Sequence, residues 1–388
     1  MATTTPADDG FRPAQAERIL VIKLDEIGDL VLATPFLRGL RASAPRARIS
    51  LVVRPAVLPL TAGCPWVDSV VTPAGDLSGG RLDLRGRTPE DLRAFAADFR
   101  AGFGLAVTAR YDVDLHGAAT LAAATRAPVR LAFSETVTPW KGAGNRGFDA
   151  AYTHRLPGAA PRHEVEHGLA LLAALGGADP EAARGSPVAL WPDAVDRAGA
   201  AALLDDAFGG SVPERLLVLA PTTAAPRRNL PATRFAAIAA AAAARWPGGG
   251  AVLIGDGEGR ERAATVAAAL SGRPVADLTG RTDLRTAAGI IGRGAVLLGM
   301  DSGPAHLAAA LGVPAAVISC HPRGGAPDYP SAPERFRPWG NRVLVVRPDR
   351  PAPPCTDGCR SAEPHCIAAI DDRAAADAVS AFADGVVT

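Results

Sequence analysis

Short apolar runs alternate with longer segments of helical spacing along the first half of the chain. RILVIKL and ISLVV are uninterrupted apolar runs of the kind that form buried parallel strands. Between them, GDLVLATPFLRGLRA places apolar residues at helical intervals, and two further short strands are predicted at VDSVVTP and GLAVTAR. This half of the chain is therefore predicted to form an open α/β sheet.

The same pattern restarts in the second half. The helix HEVEHGLALLAALG is followed by GGADPEAARGSPVALWPDAV, whose glycine, proline and alanine content predicts the exit from a first domain. Strands are then predicted at RLLVLA, GAVLIG, AVLLGM and PAAVIS, with helices at PATRFAAIAAAAAARW, LRTAAGIIGRG and PAHLAAALG. Two such arrays in tandem predict two α/β domains and a cleft between them, which the carboxyl ends of the strands would face.

Length and composition agree with two globular domains and exclude several classes of protein. A chain of 388 residues exceeds the size at which a single core keeps growing. Its formal net charge of +1 gives no electrostatic footprint for nucleic acid. The N-terminal MATTTPADDGFRPAQ lacks the apolar core of a signal peptide, and no apolar run reaches the length of roughly 18 residues expected of a membrane span. We therefore expect a cytoplasmic protein with no transmembrane segment.

Five cysteines cannot all pair within one chain, which favours mostly reduced thiols and a cytoplasmic setting. Three of them, Cys355, Cys359 and Cys366, lie close together with His365, and these four residues could supply a tetrahedral metal site. The adjacency of His365 and Cys366 and the departure from usual zinc spacings argue against a metal. The sequence favours a buried or redox-active loop here, with a metal site as the alternative.

Polar residues follow four of the predicted strands. Since parallel strands end at one edge of a sheet, and ligands of such sheets bind at that edge, these clusters are candidate sites. After the respective strands come Asp25, Glu26, Gly28 and Asp29; Arg110, Asp112 and Asp114; Thr222, Thr223 and Arg228; and Asp301, Ser302 and Gly303.

The last cluster opens the segment DSGPAHLAAALGVP, in which a helix is predicted to begin. Asp301 or Ser302 could cap the helix, and Pro304 suits a first helical position. A helix N-terminus also offers free N–H groups and a partial positive charge that suit a phosphate. Together with the other clusters, the segment favours anion binding, although a capping residue can serve both purposes.

These segments resemble those of glycosyltransferase family 9, the heptosyltransferase family. The resemblance rests on IGDLVLATPFLRGLR after the first strand and on DSGPAHLAAALGVP late in the chain. RRNLPATRF is similar to the family's basic-x-Trp-Pro-x-x-x-Phe segment, with Arg228 at the basic position and Leu230 in place of the usual tryptophan. DLTGRTDLRTAAGIIGRGAVLLG resembles the segment before the late motif, and the resemblance spans most of residues 18–380.

The resemblance implies a GT-B fold, in which two Rossmann-like domains face each other across a central cleft. We expect a flexible segment over 1–17, an acceptor-binding domain over 18–180, a linker over 181–195 and a nucleotide-sugar-binding domain over 196–370. A C-terminal helix over 371–388 is expected to pack back on the first domain. Members of the family transfer a sugar, typically heptose from an ADP-activated donor, with inversion and without a catalytic metal. No cofactor is therefore expected, and the partners are a nucleotide-sugar and a hydroxyl-bearing acceptor.

The resemblance also assigns roles to the candidate residues. Asp29 matches the family's catalytic base, and Gly28 lets its loop approach closely; the alternative for Asp29 is a helix cap. Arg228 would bind the diphosphate, with Arg227 as the alternative basic residue. The other donor-side residues would be Thr222, Thr223, Asp301, Ser302, Gly303 and His306, and the acceptor-side candidates or rival carboxylates would be Asp25, Glu26, Arg110, Asp112 and Asp114.

Two further segments, HEVEH and GDGEG, carry candidate residues. His163 and His167 are four residues apart in HEVEH, a separation that can bind metal, but the segment is not the metalloprotease signature and is interpreted as interdomain or acceptor-side structure. GDGEG is a turn that could line the nucleotide site.

An epimerase of nucleotide-sugars with the same fold, or a non-catalytic nucleotide-sugar binding protein, is the alternative to a transferase. The acceptor is left open between a lipopolysaccharide core, another cell-envelope glycan and a natural product.

Overall fold

The computed structural model describes residues 5–73, 102–158, 162–177, 184–340 and 342–387. The chain divides into two compact units, Met1–Ala189 and Leu190–Thr388. The division falls inside the segment 181–195 for which a linker was expected. Within the described residues, no helix is both long enough and apolar enough to cross a membrane.

The first unit contains a six-stranded parallel sheet in the order β3-β2-β1-β4-β5-β6. Its central strand has the continuous apolar run of a parallel strand covered on both faces, since five of its six residues are buried. The strands are β1 Arg18–Lys23, β2 Arg48–Val53, β3 Ser69–Val71, β4 Leu105–Thr108, β5 Val129–Phe133 and β6 His154–Leu156. The last two strands were not predicted individually from the sequence.

Five α-helices accompany this sheet in the described residues. They are α1 Ile27–Leu32, α2 Thr34–Ser43, α3 Ala118–Thr125, α4 Pro139–Gly144 and α5 Glu164–Ala174. The single helix predicted after β1 is divided into α1 and α2, because Pro35, in the first turn of α2, cannot donate the backbone hydrogen bond that would continue α1. α2 packs closely on α5, since a Cβ at Gly39 would lie 2.3 Å from Cδ2 of Leu172. This contact fixes α5 beside the helices that follow β1.

The second unit repeats the architecture with the sheet order β12-β11-β10-β7-β8-β9, again all parallel. Its strands are β7 Leu216–Ala220, β8 Gly250–Leu253, β9 Val275–Asp277, β10 Val296–Met300, β11 Ala315–Ile318 and β12 Val343–Val346. Read from the opposite edge, this is the same order as in the first unit. The predicted α/β fold with two Rossmann-like domains is thus confirmed.

The described helices of the second unit are α6 Ala194–Ala207, α7 Ala232–Ala244, α8 Arg260–Ala269, α9 Leu284–Arg293, α10 Gly303–Ala310, α11 Pro333–Phe336 and α12 Asp372–Val387. The C-terminal helix α12, expected to pack on the first domain, belongs to the second unit and packs along α7. Arg234 on α7 pairs with Asp372 at 2.6 Å, and Arg245 pairs with Asp384 at 2.5 Å. Val379 and Ala383 of α12 join the unit's hydrophobic core.

Each sheet has one point at which the strand order reverses direction along the chain. It lies between β1 and β4 in the first unit and between β7 and β10 in the second. In doubly wound sheets, the loops at the carboxyl ends of these two strands diverge to opposite faces and leave a crevice that binds ligands. All four polar clusters identified in the sequence follow these four strands.

Candidate active site

Asp25 is held between two cations at the reversal point of the first sheet. Ile22 of β1 pairs in register with Thr108 of β4, so the residues that follow the two strands are neighbours. The Asp25 carboxylate forms one ion pair with the Lys23 ammonium at 2.8 Å and another with the Arg110 guanidinium. Asp25 and Lys23 are both buried, and such charges are stable away from water only when they are paired. Asp25 is therefore a fixed part of this edge of the sheet.

Asp29 lies in the first turn of α1 and is half-buried. Burial raises the pKa of its carboxyl above the ordinary value of 3.8, and the carboxylates of Glu164 and Glu26 raise it further. The Lys23 ammonium acts in the opposite direction without cancelling the rise. A carboxylate with a raised pKa, partly open to solvent, is suited to accept a proton from a bound hydroxyl.

A pocket surrounds Asp29, and helix α5 supplies one of its walls. The imidazole of His167 stacks on Tyr111 with ring centroids 3.7 Å apart and planes 3° from parallel. Nδ1 of His167 lies 3.2 Å from a carboxylate oxygen of Glu164. The polar and aromatic lining residues are Lys23, Asp29, Phe36, Arg110, Tyr111, Phe133, Glu164 and His167. The pocket thus places several polar groups, the Glu164 carboxylate among them, and aromatic faces around the Asp29 carboxylate.

Glu26 and Arg54 form a second ion pair next to this pocket. The Arg54 guanidinium is fully buried just after β2 and donates to Glu26, whose side chain is 66% exposed. The buried Arg54 guanidinium therefore holds Glu26 in position, while the Glu26 carboxylate stays accessible to solvent. Its negative charge contributes to the raised pKa of Asp29.

Asp112 and Asp114 line an adjoining pocket rather than the one around Asp29. The Asp114 carboxylate accepts backbone hydrogen bonds from His116 at 3.0 Å and from Ala119 at 2.9 Å. Asp114 thereby fixes the turn into α3, and its oxygens are largely used. Asp112 accepts a bond from the Val113 N–H at 2.9 Å.

Lys141 brings a positive charge into the same adjoining pocket. It is buried and donates to the Phe133 carbonyl at 2.9 Å, and burial lowers its pKa to about 8. Tyr152 donates to the Thr108 hydroxyl at 3.0 Å, and burial raises its pKa. The two pockets share Arg110 and Phe133 as lining residues, so they are neighbours at the end of the sheet.

In the second unit, Arg228 connects the loops after β7 and β10. It ends the short turn Pro226–Arg228, and its guanidinium donates to the Asp301 carbonyl and lies 3.2 Å from the Asp301 carboxylate. Thr223 and Asn229 tie the β7 loop together, since the Thr223 N–H donates to the Asn229 side chain at 2.7 Å. The guanidinium is thus held at the reversal point with 28% of its side chain exposed.

Helix α10 begins beside this guanidinium, and Ser302 does not cap it with its side chain. The Ser302 hydroxyl instead lies 3.3 Å from the carbonyl oxygens of both Thr222 and Met300, which share its single proton. In the first turn, the Ala305 N–H donates to the Ser302 carbonyl at 3.1 Å and Pro304 has no N–H, so the Gly303 N–H is the group left to meet a ligand. The partial positive charge of this helix start lies beside the Arg228 guanidinium, so both favour a negatively charged group at this edge of the sheet.

His306 and Asp301 lie at the same edge and are both buried. Asp301 accepts a hydrogen bond from the Ser319 hydroxyl at 3.2 Å. Burial lowers the pKa of His306 to about 4, so its imidazole is neutral at physiological pH. Within the part of the chain that the structure describes, its Nδ1 has no hydrogen-bond partner. A neutral ring with one nitrogen free can recognise a hydroxyl or a phosphate oxygen without adding charge.

Glycines in the loops after β8 and β9 allow these loops to pack closely against Thr222 and against each other. A Cβ at Gly259 would lie 2.7 Å from Cγ2 of Thr222, and Gly280 adopts φ +72° with its Cβ position 2.9 Å from Cα of Gly257. A larger residue at Gly280 would clash with the Gly257 backbone, and one at Gly259 would displace the Thr222 side chain. The GDGEG turn is therefore packed beside Thr222, next to the arginine and the α10 start.

Sequence reasoning missed several residues of the first pocket. Lys23 was treated as part of an apolar strand, although a lysine at the end of a buried run is a signal for a paired charge. Tyr111 and Glu164 were not singled out. His163 and His167 do not act together: His163 caps α5 through its Nδ1, whereas His167 faces the pocket. Among the described residues they belong to no group with metal-ligand geometry.

Two Rossmann-like units, each with polar residues at the reversal point of its sheet, have the architecture of the GT-B class of glycosyltransferases. The profile of glycosyltransferase family 9 (heptosyltransferase) matches residues 113–365. The chain therefore belongs to this family. The matched range contains the second-unit cluster but begins after Asp29. No curated protein sequence matches the chain.

Solved structures support the same fold along nearly the whole chain. A family 9 glycosyl transferase from Veillonella parvula is 20% identical, with a TM-score of 0.72 over 95% of this chain and 97% of that one. The Escherichia coli ADP-heptose lipopolysaccharide heptosyltransferase II is 18% identical, with a TM-score of 0.66 over 96% and 100%. Heptosyltransferase WaaC of E. coli, solved with ADP, is 17% identical, with a TM-score of 0.65 over 94% and 99%. At these identities the likeness establishes the fold.

Proposed function

We propose that this glycosyltransferase moves a sugar, heptose in the first instance, from an ADP-activated donor to a hydroxyl of its acceptor with inversion. Asp29 is the general base. The observation that carries the proposal is the pocket around Asp29, in which a partly exposed carboxylate with a raised pKa is surrounded by fixed polar groups. The ADP and the heptose are inferred from the family and from relatives whose names specify them.

The proposed step exchanges one bond for another at the anomeric carbon. The acceptor oxygen attacks this carbon while its proton passes to the Asp29 carboxylate. The bond from the anomeric carbon to the donor phosphate breaks, and its electron pair leaves with ADP. Because attack and departure occur on opposite faces of the sugar, the configuration inverts. Before the transfer, the Lys23 ammonium stabilises the ionised form of the Asp29 carboxylate. Tyr111 and His167 form a wall against which an acceptor ring can pack.

The second unit supplies groups for the leaving diphosphate. The Arg228 guanidinium and the Gly303 N–H at the start of α10 would meet the charge that develops on the phosphate oxygens. His306, uncharged and with Nδ1 free, and the buried Asp301 would bind sugar hydroxyls or phosphate oxygens. With the charge of the leaving group met in this way, we propose that no metal ion acts at the reacting centre.

A donor panel tests the proposal directly. ADP-, GDP-, UDP- and dTDP-sugars, with ADP-heptose included, are titrated against the protein, and nucleotide release is followed with and without candidate acceptors. Binding of ADP-heptose in preference to the other donors, with ADP released only when an acceptor is present, is the expected result. Lipopolysaccharide-core, other envelope-glycan and natural-product acceptors form separate arms. Conversion of the donor alone to a new sugar isomer would indicate an epimerase, and binding without turnover in any arm would indicate a binding protein.

The pH profile provides a second prediction. Activity requires ionised Asp29, so kcat/KM falls as the pH drops through the pKa of Asp29, and the raised pKa places this limb above the ordinary value of 3.8. Glu164→Gln removes a negative charge that raises this pKa, so the limb should move to lower pH. Measurement of kcat/KM against pH for wild type and variant checks this.

Glu166→Gln is the matched control, because Glu166 lies on the same helix but is not among the groups that shift the pKa of Asp29. Its profile should coincide with that of the wild type. An acidic limb that stays in place in the Glu164 variant would argue against Asp29 as the titrating base.

A further inference from the structure

The loop between β12 and α12 gathers three cysteines and a histidine at one point. Cys355, Cys359, His365 and Cys366 each offer one ligand atom, and these four atoms all lie within 4.8 Å of one another. None of the three cysteines is in a disulfide. Cys359 and Cys366 are buried, while Cys355 and His365 are half-buried. The cluster is separate from the residues assigned above to either substrate.

The spacing of these atoms is that of a tetrahedral metal site. Nδ1 of His365 lies 3.6 Å from Sγ of Cys355 and 3.6 Å from Sγ of Cys366. A tetrahedral zinc ion with ordinary Zn–S and Zn–N bonds separates sulfur from nitrogen by about 3.6 Å and sulfur from sulfur by about 3.8 Å. Three sulfurs and one imidazole nitrogen are also a frequent ligand set of structural zinc.

The imidazole of His365 is oriented by a second contact. Its Nε2 lies 3.1 Å from the carbonyl oxygen of Pro353, which can only accept a hydrogen bond. The proton is thereby placed on Nε2, and the lone pair of Nδ1 is directed towards the thiols. Metal-binding histidines characteristically use their second nitrogen in this way.

The local backbone explains how adjacent residues can share one site. His365 has φ −131° and ψ −82°, which is neither helical nor extended, and Cys366 then opens the turn Cys366–Ala369. This change of direction brings the side chains of His365 and Cys366 to the same side. The adjacency that argued against a metal in the sequence is therefore compatible with one in the fold.

We propose that Cys355, Cys359, His365 and Cys366 bind one zinc ion with a structural role. Four protein ligands close the coordination shell, so no position is left for a substrate. The site would fasten the loop to the core of the second unit, because Cys359, Cys366 and Ile367 belong to that core and Arg234 binds the Ala368 carbonyl at 2.9 Å immediately after it. This inference does not depend on the proposed transferase activity.

Metal content and cobalt spectroscopy test the site. Protein purified under reducing conditions should contain about one zinc per chain by elemental analysis, and cobalt substituted for it should give the thiolate charge-transfer and intense visible bands of a tetrahedral site. Cys359→Ser and Cys366→Ser should lose most of the bound zinc and unfold at lower temperature. Cys64→Ser, at a half-buried cysteine of the first unit, is the matched control and should retain its zinc.

Three results would overturn the proposal. The first is reduced wild-type protein that carries no zinc and shows no cobalt bands on titration, a measurement that needs no variant to fold. The second is a disulfide between two of the cluster cysteines in protein purified without reductant, together with no metal after reduction. The third is stoichiometric iron in place of zinc, which would replace the zinc assignment with another thiolate-bound metal.

Discussion

Replacement of Asp29 by asparagine is expected to lower kcat by about 10²- to 10⁴-fold, the range typical of the loss of a general base. The amide is nearly the same size as the carboxylate but cannot accept the acceptor's proton. Donor affinity should change little, because the groups proposed to bind the diphosphate belong to the second unit. Acceptor-dependent ADP release gives kcat, and calorimetric titration with ADP gives the affinity.

Asp112→Asn provides the matched carboxylate-to-amide control. Asp112 lies in the adjoining pocket and is a rival candidate from the sequence. Its variant should lose less than about tenfold in kcat if it contacts only the acceptor. A large loss in the Asp112 variant with near-normal turnover in the Asp29 variant would transfer the role of base to Asp112. Equal large losses with weakened ADP binding in both would indicate a structural effect instead.

The location of the candidate sites could be predicted from the sequence because parallel strands leave a simple signature. A buried run such as RILVIKL ends where polar residues begin, and all carboxyl ends of a parallel sheet meet at one edge. Asp29, Arg110, Arg228 and Asp301 were therefore placed at this edge without knowledge of the strand order. The order then put the four loops that carry them at the two reversal points.

The partners of these residues could not be predicted because they come from distant parts of the chain. The stacking of His167 on Tyr111 depends on how α5 packs against α2 at Gly39. The charge that Glu164 contributes near Asp29 likewise depends on this packing. Sequence patterns describe one element at a time, whereas a pKa or a pocket wall is set by elements that meet only in the fold.

The cysteine loop shows the converse limit. The spacing Cys-x3-Cys-x5-His-Cys departs from the ligand spacings typical of structural zinc sites, so the sequence alone makes the segment from Cys355 to Cys366 a poor candidate. The irregular backbone at His365 allows the adjacent side chains of His365 and Cys366 to reach one site, and the sequence did not predict this conformation.

Replacement of Arg228 by alanine is expected to weaken ADP binding by roughly 10- to 100-fold, because hydrogen bonds to charged groups contribute roughly 1.5–3 kcal/mol. The guanidinium is the basic group fixed at the start of α10, through its contacts with Asp301. Arg228→Lys keeps the charge but loses the planar pair of donors, so it should retain part of the affinity. Calorimetric titration with ADP measures both variants.

Two controls separate loss of binding from loss of structure. Arg227→Ala removes the adjacent, half-buried arginine of the same turn and should leave the affinity for ADP within about twofold of wild type if Arg228 is the residue that binds the diphosphate. Thermal unfolding measures whether the Arg228 variant is destabilised. Without Arg228, the buried Asp301 carboxylate keeps the Ser319 hydroxyl as its side-chain donor in the described structure, so some loss of stability is expected. A variant that stays folded at the assay temperature yet fails to bind ADP would assign Arg228 to the diphosphate. Weakened binding in the Arg227 variant with normal binding in the Arg228 variant would assign the role to Arg227, the alternative that the sequence had left open.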